Sequence, residues 1–171
     1  VEEASTGKTR KAFCPGLPDH KSEAKAQQLN TVAASVLMKI MYAARLARFD
    51  LLRAVASLAC FLTKWNSDCD RRLFRLVCYI NTTKHLRMIG WVGDPSATLS
   101  LHLFADADIA GCLDAQKSTS GMHLALRGAR TCFPLAGQSK RQSCVSHSTP
   151  EAEIVAAGTA LRTAGLPALT I

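Results

Sequence analysis

Apolar residues return every three or four positions between residues 31 and 82. Leu37, Ile40, Met41 and Ala44 share one face of a first helix. Leu51, Val55, Leu58 and Leu62 do the same over roughly 49–63, and Leu73, Leu76, Val77 and Ile80 form the stripe of a third. "NSDCD" (66–70) opens that third helix: Asn66 or Ser67 can cap it, and Asp68 and Asp70 suit its positive end. After the turn-rich "GDPSAT" (93–98) the period falls to two. Leu99, Leu101, Leu103 and Ala105 alternate with Ser100, His102, Phe104 and Asp106, which predicts a strand ending at Asp106. "GCLDAQKSTSG" (111–121) reads as a turn and "MHLALRG" (122–128) as the hairpin partner. "RTCFPLAG" (130–137) reads as a third strand, placed at a sheet edge because Pro134 has no N–H for a ladder. Thr149 then caps a helix with Pro150 in its first turn, running to Gly165–Pro167. "ALTI" (168–171) could begin another strand. Three helices are thus followed by β-β-β-α, an α/β arrangement.

Residues 1–30 show no period and read as a polar tail. "STGKT" (5–9) has the end of a phosphate loop, but Glu2 stands where the loop's first glycine belongs. Apolar runs reach about ten residues and are broken by Lys and Arg, too short for a bilayer span. The N-terminal stretch lacks the apolar middle of a secretory signal. Seven cysteines, an odd number at long spacings, offer no zinc-ligand pattern. They read as reduced thiols of an intracellular protein, cytoplasmic or nuclear. No membrane partner is expected.

The net charge of +8 sits mostly in residues 1–82, which hold 13 Lys/Arg against 7 Asp/Glu. Lys39, Arg45, Arg48, Arg53, Lys64, Arg71, Arg72 and Arg75 decorate the helices. They read either as solvated faces of a bundle or as a surface for a polyanion, nucleic acid before membrane.

Two places carry candidate chemistry. "FADADIAGC" (104–112) puts Asp106 at a strand end, and "SHSTPEAEIVAAG" (146–158) puts Glu151 and Glu153 at a helix start. A helix packed across a sheet can bring its first turn near a strand end. Two carboxylates meeting there repel unless a cation lies between them, and Mg²⁺ needs only one or two protein carboxylates. The bland alternative is a turn-starting Asp and a Glu that complements the helix dipole. His147, flanked by Ser146 and Ser148, has no acid placed beside it and reads as part of a polar loop; His85, His102 and His123 read as structural.

"FADADIAGCLDAQKSTSG" followed by "SKRQSCVSHSTPEAEIVAAGTALRT" resembles the ribonuclease H domain of copia-type retrotransposon polyproteins. The upstream "YAARLARFDLLRAVASLACFLTKWNSDCDRRLFRLVCYINTTKHLRMIGW" resembles the helical connection between reverse transcriptase and ribonuclease H. The likeness spans roughly 35–171. It implies a tail (1–30), a helical connection segment (31–92) and a ribonuclease H-like domain (97–171), a mixed sheet truncated after strand three and its first helix. The function it implies is cleavage of the RNA strand of an RNA–DNA hybrid through two Mg²⁺ ions. Carried over, Asp106 is the strand-one metal ligand. Glu153 rather than Glu151 is the helix carboxylate, since "EIVA" follows it. Lys117, Ser118 and Thr119 in the turn, and Lys140, Arg141 and Gln142 after strand three, would lie near the nucleic-acid backbone.

Three departures stand out. Ile109 and Phe133–Pro134 replace family aromatics, and the family's third and fourth carboxylates lie beyond Ile171. The expectation is a fragment of a polyprotein, a poor ribonuclease alone, working with nucleic acid and the rest of the polyprotein. The alternative is a non-catalytic or decayed descendant that binds nucleic acid or protein. An open sheet of this kind needs cover, from another chain or from its own N-terminal helices.

Overall fold

The computed structural model describes residues 29–112 and 116–170. The "STGKT" segment, Cys14 and the predicted tail lie outside the described residues but for its last two positions. Helix α1 (Asn30–Ala47) buries Ala33, Leu37 and Ala44 completely. The segment predicted as one helix over 49–63 is α2 (Leu52–Ala59) between two 3₁₀ turns, Phe49–Leu51 and Leu62–Lys64. Helix α3 spans Ser67–Thr82, and Asn66 is its cap, its side chain accepting from the Cys69 N–H at 2.9 Å. Leu37, Val55, Leu58, Trp65, Leu73 and Leu76 belong to one core shared by the three helices. A dry, close-packed interior of this kind supplies most of the stability.

Three strands form an antiparallel sheet in the order β1-β2-β3: β1 (Ser100–Cys112), β2 (Lys117–Gly128) and β3 (Thr131–Arg141). No parallel pair that would make the sheet mixed occurs among the described residues. The strands are longer than the alternation predicted. β1 runs on past Asp106 to Cys112, so Asp106 is mid-strand, paired with Gly121. Lys117, Ser118 and Thr119 belong to β2 rather than to a turn, and Lys140 and Arg141 are the last two residues of β3. The reason is that ladder hydrogen bonds extend the hairpin through residues whose side chains show no apolar alternation. Pro134 does lie on the edge strand, beside a register shift that leaves Leu135 unpaired. Trp91 blunts the outer edge of β3 by exchanging two backbone bonds with Cys132, at 3.0 and 3.1 Å.

Helix α4 (Thr149–Ala160) is capped by Ser148 rather than Thr149, with Pro150 in its first turn. Its buried residues, Ala152, Ala156 and Ala160, recur every four positions, so a strip of methyl groups lets it lie close on β1 and β2. A π-turn (Leu161–Gly165) and one short helical turn (Leu166–Ala168) follow. Residues 168–170 therefore start no strand; Ile171 lies outside the described residues.

The helical segment covers the other face of the sheet. A Cβ added at Gly137 of β3 would come within 3.1 Å of Phe49 and Leu52. The N-terminal helices thus provide the cover an open sheet requires.

Candidate functional site

Strand parity decides what each β1 side chain meets. The register from Ser100 to Asp108 is unbroken, so Phe104, Asp106 and Asp108 point to one face. Their partners His123, Gly121 and Thr119 share it. This face looks toward α2: the His123 ring packs edge-on against Phe49 (centroids 5.8 Å) and against Phe104 (6.0 Å). Arg53 of α2 reaches across, its guanidinium donating to both the Asp108 carboxylate and the Thr119 hydroxyl. A cleft of about 420 Å³ lies here, with Arg53, Asp106, Asp108 and His123 in its lining.

Helix α4 lies on the opposite face, where Gln142 joins it to Ser120 and where a Cβ at Gly165 would meet Leu103. Asp106 and Glu153 therefore approach the sheet from its two sides. Asp106 is exposed and Glu153 half-buried. No ion pair or hydrogen bond engages either carboxylate, and none joins them, among the described residues.

Glu151 has a different role. Its carboxylate accepts from the His147 N–H at 2.8 Å, while its own N–H donates to the Ser148 hydroxyl at 3.3 Å. This reciprocal pair resembles a capping box and uses Glu151 to start α4. Glu153, two residues on, takes no part in this cap.

Oxygen donors of this type suit Mg²⁺. Among the described residues, however, no group of three or more His, Cys, Asp and Glu side chains is placed to hold a metal ion. A two-ion clamp needs ligands around both ions, more than two carboxylates supply by themselves.

The six predicted backbone contacts separate on burial. Ser118 is fully buried, its hydroxyl accepting from the N–H of Ala110 at 3.2 Å. That bond steadies the irregular end of β1, where Ala110 takes a left-handed φ of 48°. Thr119 is buried and bonded to Arg53. Gln142 is also buried: its amide donates to the Ser120 hydroxyl (3.0 Å) and the Ala152 carbonyl (2.9 Å), and its oxygen accepts from Ser146 (3.2 Å). Those three side chains spend their polar groups inside the fold. Lys117 ties the hairpin to the loop after β3, donating to the Ser143 carbonyl at 2.6 Å. Lys140 and Arg141 are exposed but diverge, since Lys140 pairs with Ser120 on the α4 side and Arg141 with Thr119 on the α2 side.

Several helix cations also have internal partners. Arg48 clasps Asp50 through Nε (3.0 Å) and Nη2 (2.8 Å) and reaches Thr83. Beside this guanidinium, and with the Tyr79 hydroxyl donating to it, the Asp50 carboxyl titrates below its usual range. Arg71 pairs with Asp68, and Arg72 donates to Ser57 and lies over Phe61. Sequence periodicity carried no signal for the Arg53–Asp108 contact, which joins residues 55 apart in the chain. Nor did it mark Arg162, which lies in the π-turn after α4.

No helix of the described residues is long and apolar enough to cross a membrane. Cys60, Cys69, Cys78, Cys132 and Cys144 are free thiols.

No family model and no solved structure matches the chain. It is 29% identical over 150 residues to the retrovirus-related Pol polyprotein from transposon TNT 1-94 of Nicotiana tabacum. That likeness covers 88% of this chain and 10% of the polyprotein. It supports a retrotransposon origin and fits a part of a larger Pol polyprotein.

Proposed function

We propose that this chain is the connection and ribonuclease H portion of a copia-type retrotransposon Pol polyprotein, and that it engages RNA–DNA hybrids. Asp106 and Glu153 are the proposed donors to Mg²⁺. The observation that carries the reading is the placement of those two carboxylates. One stands on the first strand of an antiparallel hairpin and the other in the helix packed across it, both unengaged, while the neighbouring acids Asp108 and Glu151 are occupied. The 150-residue likeness to a Pol polyprotein gives that arrangement its context.

A second reading has its own observation. Asp106 and Glu153 flank the sheet from opposite faces, and Arg53 already neutralises the acid beside Asp106. A chain of this lineage can bind nucleic acid without cutting it.

One experiment separates the two. RNA–DNA hybrid labelled on the RNA strand is incubated with the chain, with Asp106→Asn and with Glu153→Gln, in Mg²⁺ and in EDTA, and binding is followed in parallel. The nuclease reading expects Mg²⁺-dependent cleavage that both substitutions abolish. Salt-dependent binding with no cleavage establishes the binding module instead. Absence of both overturns the proposal.

A further inference from the structure

Beyond β3, on the face of the sheet opposite Asp106, lies a second cleft of about 430 Å³. Its walls are the end of β3 with the loop after it, and α4 with its π-turn. Lys140 and Arg162 line it together with Ser143, Thr159 and Thr163, and among the described residues no Asp or Glu does. Such a volume lies within the ~300–1,000 Å³ of small-ligand sites, so a phosphate and its sugar fit.

The local structure explains why cations gather there. Lys140 is exposed, and its pairing with Ser120 turns it to the α4 side. Arg162 rides on the π-turn, a distortion that re-aims side chains relative to a regular helix. Its Nε donates to the Gly158 carbonyl at 3.1 Å, fixing the side chain's course. Its two Nη groups have no partner among the described residues. A guanidinium held by one nitrogen keeps a planar fork of donors for an oxyanion. The floor is rigid, because buried Gln142 bonds Ser120, Ala152 and Ser146 at once.

We infer that the Lys140–Arg162 cleft is a phosphodiester-binding site that grips a nucleic-acid strand. It rests on the nucleic-acid reading above and deepens it. The phosphate contacts move from Ser118, Thr119 and Gln142, which face inward, to a cleft in which Arg162 is the added anchor. Its ligand is a backbone phosphate, read without regard to base sequence.

The test is fluorescence anisotropy with a labelled RNA–DNA hybrid across a salt series. The proteins are the chain, Lys140→Gln, Arg162→Gln, their double variant, and a double variant of the exposed helix cations, Lys39→Gln with Arg75→Gln. Each lost phosphate contact should flatten the log–log salt slope by about 0.9, so the cleft double variant should lose about 1.8. The helix double variant should keep the wild-type slope. Inorganic phosphate, added at constant ionic strength, should compete for the chain and not for the cleft variant. Hybrid binding whose slope ignores the cleft substitutions overturns the inference and leaves the nucleic-acid reading standing. No hybrid binding by the wild-type chain overturns both, and phosphate binding without hybrid binding assigns the cleft to free anions. Circular dichroism of each variant confirms that exposed Lys140 and Arg162 were replaced without loss of the fold.

Discussion

Gln142 offers a decisive test of the division between inward and outward polar groups. Replacing it by Ala removes three side-chain hydrogen bonds, to Ser120, Ala152 and Ser146. It spares the backbone bond from the Gln142 N–H to the Ser118 carbonyl. A typical intramolecular hydrogen bond contributes about 1 kcal/mol net, and a buried partner left unsatisfied costs about 1–3 kcal/mol. The Ala152 carbonyl lies within α4 and can keep its helical bond, while the Ser120 and Ser146 hydroxyls must rotate to find others. We therefore expect Gln142→Ala to destabilise the chain by roughly 2–4 kcal/mol. For a chain of this size each kcal/mol moves Tm by about 2–4 °C, so a fall of roughly 4–16 °C is expected. Urea denaturation with paired Tm measurements reads it. Lys140→Ala, two positions away and exposed, should stay within about 0.5 kcal/mol of wild type. The reasoning fails if Gln142→Ala is as stable as Lys140→Ala and instead weakens nucleic-acid binding, because the amide would then face the ligand.

Ser148→Ala removes the α4 cap and should cost about 1 kcal/mol, read by urea denaturation, while Ser148→Asp should restore most of it. Gly137→Val should loosen the helical segment from the sheet, since even a Cβ there meets the Phe49 ring at 3.0 Å; faster hydrogen exchange in 49–59 is the readout. The Asp50 carboxyl is held below its usual range chiefly by the Arg48 guanidinium. Its contribution is fully present above the unfolded value near ~3.9 and is lost as pH falls through the lowered folded value. With the Asp50 side chain 38% exposed, that contribution is at most about 1 kcal/mol. Acid titration of stability should therefore be shallower below pH ~4 in Asp50→Asn than in wild type.

The helices were legible because apolar spacing and caps act locally: Leu37, Val55 and Leu73 lie in the core that their period predicts. The strands were legible only where side chains alternate. β1 continues through "DADIAGC", and β2 begins at Lys117, because ladder bonds and not side-chain pattern hold those residues. For the candidate site, residue types and motif order name Asp106 and Glu153 as candidates but carry nothing about the faces they occupy. A face depends on register and on which helix packs where, and both are set by partners far away in the chain. Ser118, Thr119 and Gln142 look like ordinary turn residues in sequence. Only the packing of the hairpin against α2 and α4 turns them inward.

The Arg53–Asp108 contact makes the helical segment answerable to its electrolyte. Both side chains are about half exposed, so the pair is screened as salt rises and competes poorly against a denser anion. Rising salt therefore loosens the ion pair that ties α2 to β1 and leaves the packing of Phe49 and Leu52 on Gly137 to hold the helical segment to the sheet.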